Sequence, residues 1–341
     1  MKIRTSMKTL TAALCALAVS TSLAAQILIN GAGATFPYPI YSKWFSEYNK
    51  LHPEVRINYQ PIGSGGGIRQ LEFGTVDFGA SDQPMTDAQL AKARIKPLHF
   101  PTVLGAIVVA YHVPEVKGEL KLTPEALAGV FLGKIRKWND PAIARANPET
   151  KLPAADIVVV HRSDGSGTTF VWTDYLAKTN AEWKSRVGSG TAVNWPTGLG
   201  AKGNDGVAGL VKQTPYSIGY VELAYAIQNK MPYARVRNAA GEFVRPELAT
   251  VTAAAAGAAA NLPDDFRVSI TNAPGKQAYP ISSFTWLLIP ERIQDPAKKK
   301  ALINFLRWML GPGQKMAEPL SYAPLPASVA ARELKAISRI Q

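Results

Sequence analysis

The residues of this chain best suited to chemistry are three short glycine-rich stretches. They are Gly31-Ala32-Gly33-Ala34-Thr35-Phe36, Gly63-Ser64-Gly65-Gly66-Gly67 and Asp164-Gly165-Ser166-Gly167-Thr168. Each sits between a strand-like run and a helix-like run. The first turn of a helix carries backbone N–H groups with no internal partner, and the helix dipole favours negative charge there. Glycine lets the backbone approach a ligand closely, and a Ser or Thr hydroxyl adds a donor. One such junction is ordinary capping. Three of them, each beyond the carboxyl end of a strand, point to convergence on one anion.

Two charged residues sharpen that reading. Arg162 stands just before the third loop, in His161-Arg162-Ser163-Asp164. A guanidinium can grip an oxyanion with two parallel donors, and Asp164 is placed to brace it. Asp82, in Gly79-Ala80-Ser81-Asp82, also ends a strand-like run. Familiar catalytic signatures are missing. No glycine loop continues into Gly-Lys-Ser/Thr, no GxSxG occurs, and the histidines at 52, 99, 112 and 161 lack HExxH-type spacing.

The elements that must position these residues alternate between strand and helix. Ile27–Ile29, Val55–Tyr59, Val76–Ala80, Leu104–Tyr111, Ile157–Val160, Ser217–Val221 and Phe284–Ile289 read as strands. Pro39–Leu51, a short run ending at Phe73, Thr168–Thr179 and Asp295–Leu310 read as helices. Thr123-Pro124 opens another helix that Gly133 closes, and Asp205 is expected to cap one ending near Lys212. The Ala-rich run 253–260 lacks a polar face and reads as a helix or a linker on a lobe surface. This alternation predicts an α/β fold with mostly parallel sheets, and the length exceeds a comfortable single core, so two lobes are expected.

Lys2, Arg4 and Lys8, the apolar run Leu10–Val19 and the small residues Ser22-Leu23-Ala24-Ala25 form a secretory signal pattern over 1–25. Cys15 is the only cysteine and follows Leu14, so no lipid anchor is expected, and the exported chain is expected to hold no disulfide. The net charge is +13, of which three positive charges lie in residues 1–25. The remaining basic residues are scattered, which suits a solvated surface or a general attraction for small anions.

The segments GAGATFPYPIYSKW, IGSGGG, TVDFGASDQPM, RSDGSGTTFVWTDYL, GLGAKGNDGVAG and IGYVELAYA occur in this order. Together they resemble the periplasmic phosphate-binding proteins of bacterial phosphate-specific ABC transporters. The resemblance implies a type II-like two-lobed binding-protein fold with hinge crossings and a ligand cleft. Lobe 1 is expected to be discontinuous, 26–103 plus 282–341, and lobe 2 to hold 104–281. It also implies phosphate binding by Thr35, Phe36, Ser64, Asp82, Arg162, Ser166, Gly167 and Thr168, with Asp164 supporting Arg162. Asp82 matches the aspartate that accepts the ligand's proton. The implied partners are inorganic phosphate and a permease of two transmembrane subunits with ATPase subunits. A periplasmic monomer is expected, with no catalysis, metal, cofactor or nucleic acid. Three rivals remain at this point. One is a secreted phosphatase or phosphotransferase with Ser166 or Ser64 as nucleophile and His161 as base. The second is a binding protein for sulfate or molybdate. The third is an adhesin or nucleic-acid binder drawn from the positive charge.

Overall fold

The structure, a computed structural model, describes residues 26–260 and 262–341, without the side chains of 259 and 260. The signal pattern lies outside the described residues. Eleven strands follow in chain order. They are β1 (Ile27–Gly33), β2 (Val55–Pro61), β3 (Phe78–Ser81), β4 (Pro97–His112), β5 (Lys121–Leu122), β6 (Val158–Arg162), β7 (Leu199–Ala201), β8 (Ser217–Glu222), β9 (Arg235–Arg237), β10 (Phe243–Val244) and β11 (Ser282–Pro290). Eight of them join in the order β2-β1-β3-β11-β4-β8-β6-β7, and β10-β9-β5 form a small second sheet.

Within the large sheet, parallel pairing is confined to the two flanks. β1 runs parallel to β2 and β3, and β6 runs parallel to β7 and β8. The two middle strands, β11 and β4, are antiparallel to their neighbours. Both are covered on both faces: β11 is buried along its whole length and β4 is buried up to His112. A strand covered on both faces is expected to be largely apolar. Residues 97–106 of β4 pair with β11, while 107–112 pair with β8, so one strand threads both halves of the sheet.

β4 starts at Pro97, seven residues before the strand predicted from Leu104. Pro97 and Pro101 read locally as breaks, yet Pro101 sits opposite Trp286 where the register shifts between Thr285 and Trp286. Proline is tolerated at such a bulge because the ladder hydrogen bond is already interrupted. The extra residue, Thr102, bonds Tyr41 Oη at 3.0 Å and donates to the Thr285 carbonyl at 3.2 Å.

The helix starts follow local chemistry. Pro124 opens the helix Pro124–Phe131 behind a Thr123 hydroxyl that accepts the Ala126 N–H. Asp295 caps Pro296–Leu310 in the same way. Asp205, expected to cap its helix, does not do so. The helix Gly203–Gln213 begins two residues earlier, because Gly203 takes φ +74° and turns the chain there, leaving Asp205 in the first turn. The Ala-rich run belongs to the helix Leu248–Ala260.

Candidate functional site

The predicted ligand-contacting side chains are buried and the supporting Asp164 is partly buried, and they lie at carboxyl ends of strands. Thr35 and Phe36 follow β1, Ser64 opens the helix Ser64–Glu72 after β2, and Asp82 follows β3. Arg162 is the last residue of β6, and Ser166 caps the helix Gly167–Thr179 by accepting the Thr169 N–H at 3.0 Å. Exposure is 4% for Thr35, 3% for Arg162, 1% for Asp82 and zero for Ser64, Ser166 and Thr168.

Hydrogen bonds tie these residues together across the fold. Ser64 Oγ accepts the Asp82 N–H at 3.2 Å and the Gly167 N–H at 3.1 Å. The Gly65 N–H donates to the Gly165 carbonyl at 2.9 Å, so the second and third loops lie against each other. Gly167 has to be glycine. A Cβ there would fall 2.4 Å from Ser64 Oγ and 2.5 Å from Asp82 Oδ2.

The charges here are a cation braced by one carboxylate and a second, buried carboxyl at Asp82. Arg162 Nε and Nη2 donate to Asp164 Oδ1 and Oδ2 at 2.7 and 2.6 Å. Burial pushes Asp164 up, but its bonds to Arg162, that residue's charge and the Gly203 N–H outweigh it and hold the carboxyl below its ordinary value. Arg162 Nη1 is buried with no partner among the described residues. Asp82 Oδ2 is buried and unpartnered in the same sense, while Oδ1 accepts from Thr285 Oγ1 at 2.7 Å. Burial pushes Asp82 up to about 7, against the pull of Thr285 and Arg162.

His161 is not a base for either serine. Its ring stacks on Trp195 at 4.7 Å, and Nδ1 lies 3.0 Å from the Arg162 carbonyl oxygen. Burial lowers its pKa, against two backbone hydrogen bonds.

The family model of the PBP superfamily domain matches residues 18–312. The chain is 48% identical over 305 residues to the phosphate-binding protein PstS of Xylella fastidiosa strain Temecula1, covering 89% of this chain and 83% of that one. It is 49% identical to PstS of Pasteurella multocida, covering 88% and 87%. It is also 42% identical to PstS of Methanocaldococcus jannaschii, covering 92% and 87%. The chain belongs to the PstS phosphate-binding protein family. These relatives carry the names of binding proteins rather than enzymes. Solved structures share the PstS fold at lower identity. A phosphate-bound periplasmic phosphate-binding protein, PfluDING, superposes with TM-score 0.70 at 23% identity, covering 89% of this chain and 92% of its own. The phosphate-binding protein from Stenotrophomonas maltophilia gives 0.70 at 17% identity, covering 91% and 94%. The fold is the two-lobed α/β binding-protein fold. Among the described residues no helix is long and apolar enough to cross a membrane.

Beside these predicted residues the structure also places side chains that the sequence reading missed. Thr285 sits inside an apolar run, and nothing near it in sequence marks it as Asp82's partner. β11 pairs with β3 so that Trp286 lies opposite Ser81, which sets Thr285 beside Asp82. Asn204 reaches both Thr35 and Thr168, and the Tyr225 hydroxyl donates to the Thr35 carbonyl at 2.6 Å. The glycine pattern of Gly198-Leu199-Gly200-Ala201-Lys202-Gly203 was a usable signal. It is a fourth strand-to-helix junction, β7 into Gly203–Gln213.

Proposed function

We propose that this protein binds inorganic phosphate between its two lobes, held by Thr35, Phe36, Ser64, Asp82, Arg162, Ser166, Gly167 and Thr168, and delivers it to a membrane ABC permease for import. The observation that carries this reading is the pair of unpartnered buried atoms, Arg162 Nη1 and Asp82 Oδ2. One is an obligate donor and the other an acceptor when ionised. A buried polar atom without a partner costs about 1–3 kcal/mol, more if charged. A ligand that satisfies both atoms must accept at one oxygen and donate a hydrogen at another. Phosphate near neutral pH does so. Sulfate carries no proton, and its lone pairs would meet those of Asp82.

In this reading lobe 1 comprises 26–103 and 282–341, and lobe 2 comprises 104–281. Residues 262–267, in lobe 2 by these bounds, reach across to lobe 1: Arg332 Nη1 donates to the Leu262 carbonyl and Arg267 Nη1 to the Met85 carbonyl. Ser64 against Gly167 and Thr35 against Asn204 are contacts between the lobes. A ligand touching both lobes favours the closed form, which a permease of two transmembrane subunits and ATPase subunits reads by its differential affinity. The chain works as an exported, periplasmic monomer that catalyses nothing. Ser64 Oγ and Ser166 Oγ are held by backbone N–H groups, and among the described residues no histidine bonds to either, which supports binding over hydrolysis.

Isothermal titration with phosphate and sulfate tests the reading. The native protein is expected to bind phosphate and reject sulfate by roughly 10^4-fold, as sites built around a required hydrogen bond do. Asp82→Asn is expected to admit sulfate. Equal binding of both ions by the native protein overturns the proposal.

A further inference from the structure

Asn204 opens onto the site from the fourth junction and uses its amide fully. Its Oδ1 accepts the Glu222 backbone N–H at 2.9 Å. That N–H can only donate, so the amide oxygen must face it and the NH2 group must face the other way. On that side Nδ2 donates to Thr35 Oγ1 at 2.8 Å and to Thr168 Oγ1 at 3.1 Å. The Asn204 backbone N–H also donates to Thr35 Oγ1, at 3.3 Å.

The consequence lies in the lone pairs. A hydroxyl has two acceptor positions and one hydrogen. Thr35 Oγ1 has both acceptor positions filled by Asn204, so its own hydrogen can only be given away. Ser64 Oγ is in the same condition, its two positions taken by the N–H groups of Asp82 and Gly167. Thr168 Oγ1 has one position filled. Asn204 is itself buried with zero exposure, so water does not compete for these bonds.

Resting on the phosphate reading above, we propose that Asn204 is a positioning residue that sets the direction of the Thr35 hydroxyl, making it a donor toward the ligand, and that takes one acceptor position of Thr168. Thr35 and Ser64 then cannot accept a hydrogen from the ligand, whereas Asp82 can. A second proton on the ligand oxygen facing Thr35 would set a donor against a donor. Asn204 thereby bars a ligand hydrogen at that oxygen, and in the lobe division above it joins the lobe 1 Thr35 to lobe 2 as it does so.

The test is titration of the native protein and Asn204→Ala with inorganic phosphate from pH 8 to pH 5, with thermal melts confirming that the variant folds. The native affinity is expected to fall as the phosphate takes its second proton; Asp82, pushed up to about 7, titrates in the same range in both proteins, so the readout is the difference between the two pH slopes. Asn204→Ala is expected to bind roughly tenfold more weakly at pH 8 and to lose much less on acidification, because the freed Thr35 hydroxyl can accept. A variant that binds as tightly as the native protein overturns the inference. So does a variant weakened by the same factor at every pH, which is the mark of a purely structural role. If Asn204→Ala does not fold, Thr35→Val removes the hydroxyl that Asn204 directs. The same flattening is expected of it, and an unchanged slope overturns the inference. Failure of the native protein to bind phosphate at any pH would instead remove the phosphate reading.

Discussion

Asp82 is a carboxyl held between two demands. Burial pushes it up to about 7, while Thr285 and Arg162 pull it down. A group that binds its proton more tightly in the folded chain stabilises the fold below its unfolded pKa, and that contribution is lost as pH rises through the folded value. For Asp82 the window runs from about 3.9 to about 7, and the loss is on the order of 4 kcal/mol. Glu222 and Glu333 are also buried carboxyls raised by burial, so the native protein carries the same sign from three places. Asp82→Asn isolates one of them. In phosphate-free buffer the native protein is expected to lose stability relative to Asp82→Asn between pH 4 and pH 8. Parallel melting curves across that range would exclude a raised Asp82. The residue was legible because Ser81-Asp82 follows a short strand pattern. Its partner Thr285 was not, being 203 residues away in an apolar stretch.

At the scale of elements, the loops work because backbone meets backbone. Gly63 takes φ +87° at the start of the Ser64–Glu72 helix, and a Cβ there would fall 2.4 Å from Asp164 Oδ2. Left-handed backbone costs a residue with a side chain about 1–2 kcal/mol. Gly63→Ala is therefore expected to lower the melting temperature and to push Asp164 off Arg162, weakening phosphate binding by roughly tenfold. Unchanged affinity would show that the loops tolerate a wider approach. The three loops were legible from their glycines and hydroxyls, which act locally. The full extent of β4 was not. Pro97 and Pro101 signal breaks to any local reading, and only the bulge against β11 absorbs them.

For the whole molecule, the ligand is expected to act as the clasp between lobes. In the proposed lobe division, Ser64, Asp82 and Thr35 come from one lobe, and Arg162, Gly167 and Thr168 from the other. A ligand that binds only the folded state stabilises it by about 2.7 kcal/mol at a hundredfold excess over Kd. The melting temperature is therefore expected to climb with the logarithm of phosphate concentration and to stay unmoved by sulfate. A shift of equal size with both ions would indicate a general salt effect on a basic surface.

What this sequence determined by itself was local in origin: where the helices behind Thr123 and Asp295 begin, which loops present donors, and where the ionic groups stand at strand ends. Those features need only neighbours in the chain. The tertiary structure decided which of those groups meet. Asn204 reaches Thr35 across 169 positions, and Ser64 meets Gly167 across 103. Such pairings are set by strand order, register and one bulge in the middle of the sheet. They leave no mark in the residues next to them, because the energy that selects them comes from burying both halves of the sheet together.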